Sequence, residues 1–469
     1  MIGTGRLSAG ILALVLAGLS PVTGAAQSLG DTLSTAYRNS GVIEQNRALL
    51  RAADEDVAVA VAAVRPVLNW SASVTRDFSS AVTGGSFGRE VDTVRTAAGI
   101  ALTSELTLYD FGRNRLAIDA AKETVLSARE SLVSVEQDVL LRAVAAHMNV
   151  RREMENVALR ENNLRLIREE LRAARDRFEV GEVTRTDVAL AEARLASSRS
   201  ALAAARGNLR QAQAEYLNAV GAEPGPLVPP ARVPNTAASL EAAKRIALRE
   251  HPQIRAAQRE AAVADINVAR AEAAQKPTVS LTGRLQTSGT FASDNYSKGG
   301  QIGLEASGPI YQGGRLTALV RQAIARRDAA RSNLHVVRLQ VEQRVTDAFV
   351  SLQVAQAALA SSDEQIRAAR VAFNGIREEA SLGARTTLDV LNAEQELLDA
   401  RAVRISAVAD QYIAAYSLLS AMGLMTANYL NLNVPIYDPS EYYNLVKDAP
   451  LPSQQGEQLD RVLRALGKE

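Results

Sequence analysis

Only three imidazoles, His147, His251 and His335, and no cysteine occur in this 469-residue chain, so the usual nucleophiles and metal ligands are scarce. Their positions give neither metal-ligand spacing nor a nucleophile beside a base, and each reads as a partly buried or exposed helix residue. No catalytic, metal or cofactor site is expected. The Gly pair of Tyr311-Gln312-Gly313-Gly314 follows a strand-like segment and opens a helix-like one. It lacks a phosphate-loop pattern and reads as a strand-to-helix turn. What remains is charge at fixed spacing. Asp187 and Asp389 each stand three residues after a threonine, in Thr184-Arg185-Thr186-Asp187 and Thr386-Thr387-Leu388-Asp389. That is the capping-box spacing, in which hydroxyl and carboxylate satisfy each other's backbone N–H groups, a sufficient reason for both residue types.

These motifs recur because the chain is duplicated. Residues Tyr109 to Gly221 reappear without a gap as Tyr311 to Gly423, about 202 positions later. Tyr109, Gly112 and Arg113 return as Tyr311, Gly314 and Arg315, and Gly181, Thr184, Asp187 and Glu192 return as Gly383, Thr386, Asp389 and Glu394. Upstream, Leu29, Ala36, Ile43, Val57 and Pro66 match Leu240, Ala247, Ile254, Val268 and Pro277. Arg113 to Val180 contains neither proline nor glycine, and Arg315 to Leu382 contains only Gly375. Each can therefore continue as one helix of about 68 residues, about 100 Å at 1.5 Å per residue. Shorter return helices are expected from about Asp187 to Ala219 and Asp389 to Ala421, and N-terminal helices near Thr32 to Ala63 and Ala237 to Ala273.

The first return helix shows its packing face in Val188, Ala191, Leu195, Ser198, Leu202, Ala205, Leu209, Ala212 and Tyr216, alternating spacings of three and four. The second begins likewise with Val390, Ala393, Leu397 and Ala400, then meets Arg404 and Gln411 before recovering at Ala414, Leu418 and Ala421. Between the helical parts the period changes to two. Leu68, Trp70, Ala72 and Val74 alternate with polar residues, as do Val279, Leu281 and Leu285, and their partners run from about Val94 to Leu108 and from Gly300 to Ile310. Opposite the apolar positions stand Glu105, Arg284, Gln286 and Glu305. Each repeat thus contributes a strand hairpin, with turns in Ser79 to Asp92 and Ser288 to Gly299.

The first 26 or so residues carry Arg6, an apolar run from Ile11 to Leu19, and small residues Gly24, Ala25 and Ala26, the pattern of a cleavable secretory signal. That run is too short to span a bilayer, and no later segment is long and apolar enough. The mature chain is therefore periplasmic, secreted or in an outer membrane. Without cysteine it has no disulfide and no lipidated anchor. A net charge of +1 leaves no global field for nucleic acid. The chain divides as a signal peptide (1–26), a first repeat (27–221, strands near 67–108), a Pro-rich linker (222–235), a second repeat (236–423, strands near 278–310) and a tail (424–469). The tail is expected to pack partly and fray beyond about Pro450, with a short helix at Leu459 to Leu466.

Four strands of roughly 10 to 13 residues with one apolar and one polar face have the length and alternation of outer-membrane barrel strands. In lipid an open edge leaves backbone groups without partners, so other chains must pair it. Two chains would give a filled eight-stranded barrel, whereas three or more leave space for a channel. A soluble sheet resting on the helices is the alternative.

Across essentially the whole mature chain these residues resemble the TolC-type outer-membrane channel family. The marks are Tyr109-Asp110-Phe111-Gly112-Arg113 with Tyr311-Gln312-Gly313-Gly314-Arg315, and Arg177-Phe178-Glu179-Val180-Gly181-Glu182 with Leu382-Gly383-Ala384-Arg385-Thr386. The resemblance implies a mainly α fold with a small β part. Duplicated long helical hairpins would form a homotrimeric periplasmic α-barrel continuous with a 12-stranded outer-membrane β-barrel. It implies an exit duct for drug efflux or type I protein secretion, docked on a periplasmic adaptor and an inner-membrane transporter. Val180, Gly181, Glu182, Leu382, Gly383 and Ala384 match positions that dock the adaptor. Asp187 and Asp389 would gather six carboxylates at the periplasmic mouth. An acidic residue of the family is Asn392 here, and Arg385 matches a tether whose tyrosine partner is replaced by Ala380, while Val408 replaces a second basic tether. A periplasmic coiled-coil adaptor or structural protein is the other reading, but an adaptor would show one hairpin flanked by β-rich domains.

Overall fold

In the computed structural model, residues 27–83, 88–230, 232–291 and 296–447, with 458 and 461, are described. The expected signal peptide, the two strand-turn tips and the helix at 459–466 lie outside or almost wholly outside them. The helical expectation holds closely. Helix α3 spans Arg113–Glu179 and α7 spans Arg315–Ser381, 67 residues each, and the return helices are α4, Arg185–Val220, and α8, Thr387–Ala421.

The N-terminal helix of each repeat differs from expectation, because each is two helices. In the first copy α1, Leu29–Asn39, ends at Ser40, whose extended backbone turns the chain before α2, Gly41–Ala62. In the second, α5, Leu240–Glu250, stops where Pro252 begins α6, Pro252–Ala273. Proline has no N–H for the helix ladder and crowds the preceding turn, yet is favoured at a helix's first position. His251 is the cap between them, its Nδ1 accepting from the Gln253 N–H at 3.2 Å.

The chain clusters into two units, each drawing on both copies. One comprises the described part of Met1–Gly41 with Glu136–Ala243 and Val345–Pro435. Here α4 buries Ala191, Leu195, Ser198, Leu202, Ala205 and Tyr216, as its heptad spacing predicts. Of these, Ala191, Leu195 and Leu202 form a cluster with Leu164, Ile167, Leu171 and Ala174 of α3, which Leu391 of α8 joins. Each fully buried leucine contributes roughly 1.5–3 kcal/mol. α8 buries a wider face than its seam suggests, adding Leu391, Glu394, Leu398, Ala409 and Leu419. Arg404, which interrupts the seam, is carried outside and donates to Asp363 Oδ1 at 2.6 Å. At the other end of this unit α1 is sewn to α3 and α4 through Thr32, whose Oγ1 lies 2.9 Å from His147 Nδ1 and 3.1 Å from Tyr216 OH. His147 is fully buried rather than a partly exposed helix residue, and burial holds its imidazole at about 4, hence neutral. Gly221 closes α4 with φ +74°, and a Cβ there would stand 2.8 Å from Asn39 Cβ.

The other unit comprises Val42–Val135, Lys244–Arg344 and the described part of Ile436–Glu469. Leu50 and Val57 of α2 and Val125 of α3 form a cluster against which Tyr437 and Tyr443 pack. A short helix that the sequence reading did not anticipate, α9, Pro439–Val446, brings Tyr442 OH to Glu55 Oε1 at 2.6 Å. Asp54 of α2 is fully buried, and neither carboxylate oxygen has a hydrogen-bond partner among the described residues. Burial pushes its carboxyl up to about 6 against the pull of Arg129.

This unit also holds a four-stranded antiparallel sheet in the order β1-β2-β3-β4. β1 spans Val67–Thr83, β2 Arg89–Tyr109, β3 Thr278–Thr290 and β4 Tyr296–Ser307. The second hairpin has the expected length, with β4 ending before Ile310. The first is longer than the expected 10 to 13 residues, at 17 and 21. Ser79, Ser80 and Asp92 read as turn residues, but the β-branched Val82 and Val91 between them, followed by Thr93 and Val94, keep the ladder going.

Candidate functional site

The turn after α3 begins at a helix stop. Gly181 has φ +82°, its N–H donating to Phe178 O at 3.0 Å and that of Glu182 to Arg177 O at 2.9 Å. The second copy repeats this at Gly383, φ +77°, with Gly383 N–H on Ala380 O and Ala384 N–H on Glu379 O. This left-handed stop suits glycine, and the paired bonds satisfy the last carbonyls of the helix. The return helix then starts on a capping box. Thr184 donates through N–H and Oγ1 to Asp187 Oδ2 at 2.9 and 2.7 Å, and Asp187 N–H donates back to Thr184 Oγ1 at 3.3 Å. Thr386 and Asp389 repeat the arrangement at 3.0, 2.8 and 3.3 Å. The Thr184 bonds hold the Asp187 carboxyl below the usual range, and the Thr386 bonds do so for Asp389, so both are ionised at neutral pH.

Around these caps the structure groups the residues singled out by sequence. Val180, Gly181 and Glu182 are exposed together at one turn, and Leu382, Gly383 and Ala384 at the other. Val180 and Leu382, at 71% and 82% exposure, are apolar side chains held out in water. Arg385, Asp389 and Asn392 line one groove of about 410 Å³ with Ile376 and Glu396. Arg385 donates through Nε to Glu379 Oε2 at 2.8 Å, a partner within its own hairpin. A contact that does join the two hairpins runs from Arg194 of α4, which donates through Nη2 to Asn392 Oδ1 at 3.1 Å. Beside it lies a buried chain that sequence reasoning missed, in which Ser198 Oγ donates to Asn163 Oδ1 at 3.2 Å and Asn163 Nδ2 donates to Glu394 Oε1 at 3.1 Å. The only sequence signal was Asn163 in a stretch that otherwise supplies leucine and isoleucine to the cluster.

The sheet supplies the second functional surface. Register places Trp70, Leu102 and Leu285 in one row, and Leu106, Leu281 and Leu304 in another, on the same face. Asn69, Thr103, Arg284 and Gln301 form a row on the opposite face, and Glu105 and Glu305 share that side. Period-two pleating makes this segregation. The apolar side chains are uncovered, with Trp70 77% and Ile302 85% exposed. Among the described residues β1 and β4 each pair on one side only, leaving one edge of each open. Among the described residues no helix is long and apolar enough to cross a membrane.

Comparison with known proteins gives this arrangement its place. The family model for the outer membrane efflux protein matches residues 32–222 and 245–424, once in each copy. The chain belongs to the outer membrane efflux protein family. It is 37% identical over 443 residues to the outer membrane efflux protein BepC of Brucella suis, covering 93% of this chain and 95% of that one. It is 25% identical over 386 residues to the alkaline protease secretion protein AprF of Pseudomonas aeruginosa, covering 78% of each. The solved structure of the outer membrane protein VceC from Vibrio cholerae shares the fold, with a TM-score of 0.70 at 22% identity over 84% of this chain and 96% of that one. The protein is thus an outer-membrane efflux-type channel that extends into the periplasm, and its family is one of channels rather than enzymes.

Proposed function

We propose that three copies of this chain form a passive exit duct, a 12-stranded barrel in the outer membrane leading into a periplasmic helical tunnel, with a periplasmic adaptor and an inner-membrane transporter supplying cargo and energy. The observation that carries this reading is the sheet, whose one face is apolar and bare while both edges stand open. An open edge in lipid leaves N–H and C=O groups unsatisfied at several kcal/mol each, and closure by neighbouring copies removes that cost. Eight strands from two copies would fill their own interior, whereas twelve leave room for water. Asn69, Thr103, Arg284 and Gln301 then face the lumen, and Trp70, Leu285 and Ile302 face lipid.

Asp187 and Asp389, held ionised by their caps, would favour cations at the periplasmic mouth of such a duct. The exposed turns Val180–Gly181–Glu182 and Leu382–Gly383–Ala384 offer apolar knobs on rigid caps, a suitable landing for an adaptor's helices. The efflux relative supports a drug-like small molecule as cargo and the protease-secretion relative a secreted protein, and both classes stand for this duct. Extraction of outer membranes should yield a trimer, with an adaptor co-purifying. Val180→Asp with Leu382→Asp should leave the trimer intact and lose the adaptor. If the adaptor stayed bound, the docking assignment would be abandoned; recovery of a monomer would remove the duct itself.

A further inference from the structure

Two glutamates at matching positions of the repeats live in different surroundings. Glu192 of α4 is exposed and accepts from Arg175 Nη2 at 2.5 Å. Its counterpart, Glu394 of α8, is only 6% exposed, on a helix whose Leu391 joins a cluster with Ile167 and Leu195. Burying a carboxylate costs several kcal/mol unless it is paired or neutralised. Glu394 has no ion pair within 4 Å among the described residues, and its polar partner is the Asn163 amide, itself fixed by Ser198. The chain Ser198–Asn163–Glu394 therefore ties three helices, α4, α3 and α8, inside an otherwise apolar interface.

We propose that this buried chain is the latch that holds α8 against the first hairpin when the duct is closed, and that loss of the Glu394 proton to water releases it. The latch rests on the duct reading. It stands where the surface links are few: Arg385 turns to Glu379 in its own hairpin, and Ala380 and Val408 carry no polar group. Among the described residues the surface contacts that do cross from the first hairpin to α8 include Arg194 on the neutral, exposed amide of Asn392 and a long ion pair of Arg152 with the exposed Asp410 at 3.7 Å.

The groups around Glu394 set the direction of the response. Burial pushes its carboxyl up to about 7, helped by Glu170 of α3 and opposed by the Asn163 hydrogen bond, Arg194 of α4 and Arg377 of α7. When α8 swings away and Glu394 meets water, its affinity for the proton falls toward the ordinary glutamate value. The closed state thus binds more protons than the open state between about pH 4.5 and 7. By linkage, closure is favoured at the acid end of that window and weakens as pH rises, levelling off above about 7. Expulsion of one proton gives a rise in the open-to-closed ratio on the order of tenfold between pH 5.5 and 7.5.

The test uses the intact, membrane-extracted trimer in planar bilayers at those two pH values, with Glu394→Gln, which keeps the acceptor for Asn163 but has no proton to lose. Wild type should open more at pH 7.5, and the Gln variant should stay closed at both. Hydrogen exchange of the α8 amides on the same trimers, corrected for the intrinsic effect of pH, gives a readout that needs no current. Protection should fall with pH in wild type and remain in Glu394→Gln. A Gln variant that follows the wild-type pH response in both measurements overturns the latch while leaving the duct intact. Absence of conductance from wild type at either pH removes the duct, a different failure.

Discussion

Asp389 and Asp187 show that one side chain can do structural and electrostatic service together. Each accepts two hydrogen bonds from the capping threonine, which starts the return helix, and the same bonds keep its carboxylate ionised beside the turn. That role was legible because the Thr-x-x-Asp spacing is local. Glu394 was not legible, because the repeat pattern is identical at Glu192 and only the packing of α8 decides which glutamate is buried. His147 and His251 were read as partly buried or exposed helix residues because the local period does not show burial: His147 is covered where Thr32 of α1 meets it, and His251 is a buried cap at the start of α6. Asp54 makes the sharpest residue-scale prediction. Its folded carboxyl is raised to about 6 from 3.8, so the folded chain holds a proton that the unfolded chain releases, and stability falls as pH rises from about 4 to 6 and stays low above. Asp54→Asn should therefore stabilise the protein at pH 7.5 by on the order of 1–3 kcal/mol, with the gain vanishing below pH 4. Denaturation midpoints across that range check it, and a destabilised Asn variant at pH 7.5 would mean that Asp54 has a partner when ionised.

At the scale of elements, glycine and proline placed the long helices to within a residue or two, since nothing inside Arg113–Glu179 can stop a helix and Gly181 then does. Element ends were less legible where two signals compete. Pro252 both stops α5 and starts α6, so one helix was expected where two exist. In the first strand hairpin, serines and charges suggested a turn while β-branched neighbours extended the ladder to 17 and 21 residues. The faces of the sheet were read correctly from alternation alone, and they give a paired prediction on one strand. Ile302→Lys places a charge on the apolar face and should reduce the folded protein recovered from outer membranes, with a cost of roughly 2–4 kcal/mol if the site is near the bilayer midplane. Gln301→Lys, on the opposite face, should fold normally and shift ion selectivity toward anions. Equal recovery of both variants would argue that neither face meets lipid.

For the molecule as a whole, duplication supplies two helical hairpins and two strand hairpins per chain, and the copies have since diverged in use. The first contributes the regular seam along α4 and the longer strand hairpin. The second contributes α8, with its wider buried face, its carboxylate in an apolar interface and its Arg385 beside the turn. The proposed latch accordingly puts the opening movement in α8, whose buried face is wider than its seam. None of this matters unless the open sheet edges close on neighbouring copies around water. The most direct test is single-channel recording in planar bilayers from protein extracted out of outer membranes and fractionated by mass. The account predicts that the trimer fraction conducts in discrete steps; if those trimers carry no current, or the protein is recovered as a monomer without conductance, the account is contradicted.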